Sequence, residues 1–408
     1  MLQSISVHLL IIAVQSRGLA VQPPFLAAHA SMAPYEPYYS LHTSGAPWLP
    51  GPLADLARSL ALRLVDAAPT TLLLAAVYTI FLAAAWASAL PVAAVATVAF
   101  SLLAVLELRR SWRPRPPTDA WFLVTGTGTA GLGRATVLRL LTSGARVVAG
   151  VLTEGEAAAW RTRGPWAAAG TLVPVVLDVT DAASVSAAKA LVLEQCWPSG
   201  LAGVVNVAGM ATSGPLEVTD VQTMRKVMDV NVWGGIAIAQ AFAPLLRTSR
   251  GRLVNLTSVA GRVVSPYLGA YSMSKHAMEA ATDALRQELH PWGIHVAAVE
   301  PGFIATPMVA DLDSLHERMV GGLSAEARAL YGTELARLPA INRAIIGSAG
   351  KPEWVAAAVA HALQSRWPRT RYLVGADARL FVAVRWLIGD RQMDSHTRRR
   401  MLHLSRRT

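Results

Sequence analysis

Charged residues are scarce in this 408-residue chain, and cysteine is nearly absent. Asp, Glu, Lys and Arg make up 15% of the sequence, against roughly 25% in an average soluble domain. Hydrophobic residues reach 53%, and this imbalance favours contact with a membrane. The single cysteine, Cys196, excludes an intramolecular disulfide framework, so the sequence does not require an oxidising compartment.

Acidic residues are fewer than basic residues: the chain has 26 Asp and Glu against 37 Lys and Arg, and its net charge is +11. An excess of basic residues is typical of proteins that bind nucleic acid or an anionic membrane surface. The chain has no helix-turn-helix, zinc-binding or RNA-binding signature, so we predict no nucleic-acid partner and no metal site. The basic clusters instead adjoin apolar segments, which is typical of orientation signals and headgroup contacts. These clusters are Arg109, Arg110, Arg113 and Arg115, and Arg398, Arg399, Arg400, Arg406 and Arg407.

The N-terminal part of the chain divides into three predicted regions. Prolines recur through residues 1–69, so we expect this region to be poorly ordered. Residues 72–106 form an uncharged run. This run is too long for one transmembrane helix perpendicular to the bilayer and slightly short for two transmembrane helices. We therefore predict a transmembrane hairpin, or one span kinked at Pro91, over residues 70–108. Residues 109–117 form a basic linker, which by the positive-inside rule places the following residues on the cytoplasmic side.

Candidate strands and helices alternate through the next region, residues 118–376. Short apolar runs separated by helical stretches are typical of a parallel sheet with helices on both faces. We therefore predict an α/β fold, a Rossmann-like doubly wound parallel sheet, behind an N-terminal transmembrane helical segment. Residues 377–408 are apolar and basic, and their apolar part is too short to span a bilayer, so we expect an interfacial or substrate-covering helix. The strands are predicted at residues 121–124, 146–151, 172–177, 203–207, 252–256, 295–299 and 371–375.

Tyr271 and Lys275 are four residues apart in a predicted helix, so their side chains lie on one face. A tyrosine hydroxyl has a pKa of about 10, and a nearby ammonium favours the phenolate. Tyr271 can then exchange a proton with an alcohol or a carbonyl. A tyrosine and a lysine at this spacing occur by chance in many helices, so the pair indicates a function only together with other residues at fixed positions before it. Ser258 closes an apolar run that reads as a buried strand, and the carboxyl ends of such strands face the ligand crevice of open α/β sheets.

Two further features precede this serine. Asn231 interrupts an otherwise apolar predicted helix, and four glycines cluster directly after the first predicted strand. Asn, Ser, Tyr and Lys in this order, behind a glycine-rich turn, resemble the short-chain dehydrogenase/reductase family. The resemblance implies NAD(P)-dependent oxidation of alcohols or reduction of carbonyls. It assigns Tyr271 as the general acid/base, Lys275 to the nicotinamide ribose and to lowering the tyrosine pKa, Ser258 to the substrate oxygen, and Asn231 to a proton-relay water.

The glycine-rich turn, Thr125–Gly133, allows the backbone to approach a pyrophosphate at a helix N-terminus. It has one residue more than the family pattern between Gly126 and Gly131. Val151 stands where many members have an acid for the adenosine ribose. No 2′-phosphate site is evident, although Arg134 follows the last glycine, so we predict NAD and leave NADP open. The resemblance implies these cofactor-binding residues: Thr125, Gly126, Gly128, Gly131, Leu132, Gly133, Asp178, Asn206, Ala208, Gly209, Tyr271, Lys275, Pro301, Gly302 and Thr306.

Within the family, the segments at residues 149–154, 244–254 and 289–294 resemble membrane-bound steroid and retinol dehydrogenases. This implies a lipophilic substrate drawn from the bilayer, a location at the endoplasmic reticulum membrane and compatibility with a homodimer. The substrate-binding residues are then Ser258, Tyr267, Tyr271, Met308 and Tyr331. Three alternatives stay open: an NADPH-dependent lipid ketoreductase, a mitochondrial hydroxybutyrate-type dehydrogenase, and a membrane-anchored nucleotide-binding scaffold without turnover.

Overall fold

The computed structural model describes residues 112–162 and 170–404, with side chains as far as residue 399. The predicted proline-rich region, residues 1–69, and the predicted membrane segment, residues 70–108, lie outside the described residues. In the part of the chain that is described, no helix is both long and apolar enough to cross a membrane.

The centre of the fold is a seven-stranded sheet with the strand order β3-β2-β1-β4-β5-β6-β7. All neighbouring strands run parallel. The predicted Rossmann-like, doubly wound parallel sheet is therefore confirmed. The strand order reverses between β1 and β4, and ligands of open α/β sheets bind beyond the strand ends at such a point. The strands are β1 Trp121–Val124, β2 Arg146–Val151, β3 Thr171–Val176, β4 Gly203–Asn206, β5 Arg252–Leu256, β6 His295–Pro301 and β7 Arg371–Val374.

Helices connect successive strands. Several begin at a polar residue that caps their free amide groups: the carboxylate of Asp181 accepts hydrogen bonds from the amides of Ala183 and Ser184. Between β6 and β7 the chain forms five helices rather than one. The described helices are α1 Leu132–Leu141, α2 Glu154–Arg161, α3 Ala182–Cys196, α4 Val221–Met228, α5 Gly235–Ser249, α6 Gly269–Glu288, α7 Pro307–Ala310, α8 Leu312–Gly321, α9 Ala325–Leu335, α10 Leu338–Ser348, α11 Pro352–Gln364, α12 Ala376–Leu387 and α13 Asp390–Leu404.

Apolar side chains cover both faces of the sheet. In β1, Phe122 and Val124 point into one buried cluster and Leu123 into the other, because successive strand side chains face opposite sides. Helices α1 and α11 close the first cluster, and helices α3 and α5 close the second. Burial of each side chain of this size contributes about 1.5–3 kcal/mol to the free energy of unfolding. The strand ends that carry the polar residues are thus held by a core packed on both sides.

The predicted helix that contains Asn231 is interrupted. Helix α4 ends at Met228, a π-helical turn covers Asp229–Gly234, and α5 begins at Gly235. A side chain on Gly234 would place its Cβ 2.5 Å from Cγ2 of Val179, so the turn packs too closely for any other residue. Apolar periodicity does not distinguish this turn from a continuous helix, because one inserted residue leaves the apolar character unchanged.

Candidate active site

Helix α6 carries Tyr271 and Lys275 on one face, as the spacing predicts, and it packs against β6. Nζ of Lys275 donates a hydrogen bond to the carbonyl oxygen of Leu256, the last residue of β5, at 3.0 Å. The same Nζ lies 5.6 Å from the centroid of the Tyr271 ring. The ammonium is therefore fixed between the strand end and the tyrosine.

Ser258 lies two residues beyond β5 and is buried. Its Oγ accepts a hydrogen bond from the amide of Ala260 at 3.1 Å and donates to the carbonyl oxygen of Pro301 at 3.4 Å. It also forms a side-chain hydrogen bond with Tyr271. The serine thus joins the ends of β5 and β6 to the hydroxyl of helix α6.

Burial governs the protonation of both helix residues. It raises the pKa of Tyr271, and the hydrogen bond with Ser258 offsets part of this rise. Burial also lowers the pKa of Lys275 to about 8, while the carboxylate of Glu279 opposes this change. Lys275 is therefore mostly protonated at neutral pH. Burial thus outweighs the lowering of the Tyr271 pKa that was expected from Lys275, and the tyrosine holds its proton at neutral pH.

Asn231 lies in the π-helical turn and is buried. Its side chain pairs with the backbone of Met210, accepting from the amide at 2.8 Å and donating to the carbonyl at 2.9 Å. Nδ2 also donates to Oγ of Ser274 at 2.9 Å, and that hydroxyl donates to the carbonyl oxygen of Tyr271 at 2.7 Å. Through these bonds Asn231 joins the loop after β4 to the helix that carries the tyrosine.

The turn between β1 and α1 can be built only with glycines at two points. Gly126 has a φ of 63°, and a Cβ there would lie 2.7 Å from the backbone of Ala208. A Cβ on Gly133 would lie 2.1 Å from the carbonyl oxygen of Gly126. Oγ1 of Thr125 accepts hydrogen bonds from the amides of Val207 and Ala208 at 3.0 and 3.1 Å. The turn is therefore held close against the end of β4.

Gly131 caps helix α1 with a φ of 90°. Among the described residues, a Cβ there would meet one atom within 4 Å, Cδ of Pro307 at 3.4 Å, so the space in front of the helix N-terminus forms an open cradle. The backbone amides of Leu132 and Gly133 begin this helix, and amides at a helix N-terminus bind phosphate oxygens. These residues fit the pyrophosphate of a dinucleotide.

Three further residues that were expected to bind the cofactor, Gly209, Asn206 and Asp178, lie in three different surroundings. A Cβ on Gly209 would lie 3.3 Å from Oδ1 of Asn231 and 3.8 Å from Nζ of Lys275, so this glycine adjoins the polar cluster. Asn206 ties strands together instead, since its Nδ2 donates to Oδ1 of Asn255 in β5 at 2.9 Å. Asp178 follows β3 and forms a local turn in which Oδ1 accepts from the amide of Thr180 at 2.8 Å.

The segment after β6 runs past the same strand ends. Pro301 closes the strand, and Oγ1 of Thr306 caps helix α7 by accepting from the amide of Val309 at 3.4 Å. Oδ2 of Asp377, in the first turn of α12, accepts from the amide of Phe303 at 2.7 Å. A Cβ on Gly302 would approach that carboxylate to 2.2 Å. Asp377 was not predicted, because its role depends on a contact across 74 residues.

Of the three further residues expected to bind substrate, Met308 and Tyr331 lie in the helices between β6 and β7, and Tyr267 packs against these helices. Tyr267 has a φ of 65°, a conformation that L-residues rarely adopt, and its ring packs on the buried cluster of Leu335, Leu338 and Ile341. The hydroxyl of Tyr331 hydrogen-bonds the carboxylate of Glu217. Met308 is partly buried in α7. Helices α9 and α10 are thus docked on the residue that leads into α6.

A buried ionic cluster, which sequence reasoning missed, lies one helical turn beyond Lys275. The guanidinium of Arg371 contacts the carboxylates of Glu279, Glu300 and Asp283, with Glu300 at 2.8 Å. Glu300 is 1% exposed and Glu279 is 6% exposed. A Tyr-x-x-x-Lys-x-x-x-Glu spacing along α6 is the one local signal that could have indicated it.

A parallel sheet of this order, with a glycine cradle after β1 and a Ser258–Tyr271 hydrogen bond at the strand ends, defines a dinucleotide-binding α/β protein with an acid–base centre. The chain belongs to the short-chain dehydrogenase family: residues 120–316 match the family model of that description. As a member it is a nicotinamide-dependent oxidoreductase.

Curated relatives and solved structures agree with this membership. Retinol dehydrogenase 5 of Mus musculus is 37% identical over 286 residues, covering 68% of this chain and 88% of that protein. The 17-beta-hydroxysteroid dehydrogenase type 6 of Bos taurus is 34% identical over 290 residues, covering 69% and 89%. A short chain dehydrogenase from Burkholderia cenocepacia, solved in complex with NADP, is similar with a TM-score of 0.51 and 26% identity, covering 69% of this chain and 98% of that one.

Proposed function

We propose that this protein transfers a hydride between a nicotinamide cofactor and a secondary or allylic alcohol, or the matching carbonyl, of a steroid- or retinoid-like substrate. The observation that carries the proposal is the joined arrangement of Ser258, Tyr271 and Lys275 at the carboxyl ends of β5 and β6. Support for the substrate class comes from the relatives, which are named retinol dehydrogenase and 17-beta-hydroxysteroid dehydrogenase.

The side chains divide the chemistry among them. When bound, the nicotinamide supplies the hydride acceptor for oxidation and the hydride donor for reduction. The Tyr271 hydroxyl exchanges the proton with the substrate oxygen, and Ser258, already hydrogen-bonded to that hydroxyl, orients the same oxygen. The Lys275 ammonium stabilises negative charge developing on the tyrosine. Asn231 positions the first turns of α6 through Ser274.

The cofactor-binding residues form the cradle and its rim. We assign the pyrophosphate to the amides at the start of α1, and the nicotinamide end to the segment between Pro301 and Thr306, which lies beside Ser258. Tyr267, Met308 and Tyr331 are assigned to the substrate side, because the helices between β6 and β7 bring apolar surface to the start of α6.

The test is cofactor reduction by detergent-solubilised full-length protein. NAD and NADP are offered separately with hydroxysteroids, retinol and simple secondary alcohols, and Tyr271→Phe serves as the blank. We expect Tyr271-dependent turnover with a steroid or retinol and at least about tenfold lower kcat/KM for simple alcohols, which leave the apolar pocket unfilled. Binding of a cofactor without turnover of any substrate would favour a nucleotide-binding scaffold instead.

We also propose that residues 70–108 anchor the enzyme in the endoplasmic reticulum membrane, with the catalytic domain, residues 118–376, facing the cytoplasm. The uncharged stretch of residues 72–106, followed directly by arginines, supports this. The full chain expressed in cells should stay with the membrane pellet after alkaline carbonate extraction, and protease added to sealed microsomes should digest residues 118–376. Release of the protein by carbonate would contradict the anchor.

A further inference from the structure

A carboxylate lies at the end of β2, although the strand itself ends in Val151. Helix α2 starts three residues later, and Glu156 in its first turn folds back toward the strand end. Its Oε2 accepts hydrogen bonds from the amides of Leu152 at 2.9 Å and Thr153 at 3.4 Å. The carboxylate of Glu156 is therefore held beside the end of β2, where the strand itself has Val151 and no acid.

The same carboxylate also lies against the glycine-rich turn. A Cβ built on Gly128 would be 2.6 Å from Oε1 of Glu156, so a side chain at residue 128 would occupy the position of this oxygen. Gly128 belongs to the part of the turn that contains the extra residue. Among the described residues, Oε1 receives no hydrogen bond, and Glu156 is only partly buried. One oxygen thus anchors the carboxylate, and the other lies against the glycine-rich turn.

Arg134, the basic residue that follows the last glycine of the turn, is held by an aromatic ring. The guanidinium of Arg134 lies 4.4 Å from the centroid of the Trp160 ring, and Nε1 of Trp160 donates to the carbonyl oxygen of Thr127 at 2.7 Å. Arg134 therefore stacks on a ring that is itself hydrogen-bonded to the turn. The charged group that lies against Gly128 is the carboxylate of Glu156.

We propose that Glu156 is the specificity-determining residue for the cofactor, which accepts a hydrogen bond from the adenosine ribose of NAD and repels the 2′-phosphate of NADP. The inference rests on the proposed function, since it assumes that a dinucleotide occupies the cradle of α1. A carboxylate only accepts hydrogen bonds, so it suits a ribose hydroxyl, and like charges disfavour a phosphate at the same place. The acid comes from helix α2 rather than from the strand end, which explains why the sequence pattern lacks it.

The experiment measures binding and not turnover. Dissociation constants for NAD and NADP are obtained by fluorescence titration of wild type, Glu156→Gln and Glu154→Gln. Glutamine keeps an oxygen that can accept from the amides of Leu152 and Thr153, so the start of α2 is retained, and a thermal melt checks this. We expect wild type to prefer NAD, and Glu156→Gln to shift the ratio of the two constants toward NADP by at least about tenfold.

Glu154→Gln is the matched control, because it removes the same charge from the same helix turn, where Glu154 pairs with the exposed Arg161. Its ratio should change by less than about twofold. An unchanged ratio in Glu156→Gln, equal shifts in both variants, or a wild-type preference for NADP would overturn the assignment while leaving the proposed function in place. Failure of wild type to bind either nucleotide would overturn both.

Discussion

Replacing Tyr271 with phenylalanine should lower kcat by about 10³-fold while leaving the dissociation constant of the cofactor within about twofold. The change removes one oxygen, the only group of the Tyr271 side chain that exchanges a proton, and keeps the ring beside Lys275. In wild type, alcohol oxidation should rise with pH, because the base acts when deprotonated and burial raises the pKa of Tyr271. The residual activity of the variant should lack this rise. Stopped-flow single turnovers at several pH values measure both effects.

Tyr372→Phe is the matched control for this variant. It removes a hydroxyl that hydrogen-bonds Nδ1 of His361 at 2.9 Å and the amide of Arg369 at 2.8 Å, in β7 and away from the acid–base centre. The control should lose stability and keep kcat. If Tyr271→Phe retained more than about a tenth of wild-type kcat, or kept the same pH profile, Tyr271 would not be the acid/base.

The parts of the site that follow from local geometry were predictable. Tyr271 and Lys275 share a face because four residues complete about one helical turn. The seven predicted strands all occur, because parallel strands are buried on both faces and read as apolar runs. The glycines at 126 and 133 occur where the backbone leaves no space for a Cβ. Each of these signals is contained within a few neighbouring residues.

The remaining parts depend on contacts between distant segments. The π-helical turn at Asp229–Gly234 is fixed by the bonds of Asn231 to Met210 and Ser274, 21 and 43 residues away. Asp377 supports the loop after β6 from the following helix, and no periodicity marks it. Glu156 lies five residues beyond Val151, because the first turn of a helix and not the end of a strand carries this acid. Such residues become visible only when the sheet brings their elements together.

Arg371→Leu should reduce the free energy of unfolding by about 3 kcal/mol, because the buried carboxylates of Glu279 and Glu300 then keep only the guanidinium of Arg262, which lies 3.2 Å from Glu300. Burial and the neighbouring Glu300 raise the pKa of Glu279, and Arg371 opposes that rise. Without Arg371 the pKa of Glu279 in the folded state rises further above its value in the unfolded state. The loss of unfolding free energy should therefore be largest at neutral pH. It should shrink as the pH falls through the raised pKa, because the folded protein then takes up a proton at Glu279.

Chemical denaturation of wild type and variant across the acid range measures this loss, and Arg318→Leu is its control. That substitution breaks the ion pair of Arg318 with Asp311, both of which are more than half exposed, so it should cost less than about 1 kcal/mol. Equal effects of the two substitutions would show that the cluster behaves as a surface pair. Because Glu279 also raises the pKa of Lys275, a confirmed loss would place the ammonium of the active site on the edge of a charge network that holds β7 to α6. The stability of the fold and the protonation of its acid–base centre would then depend on the same guanidinium.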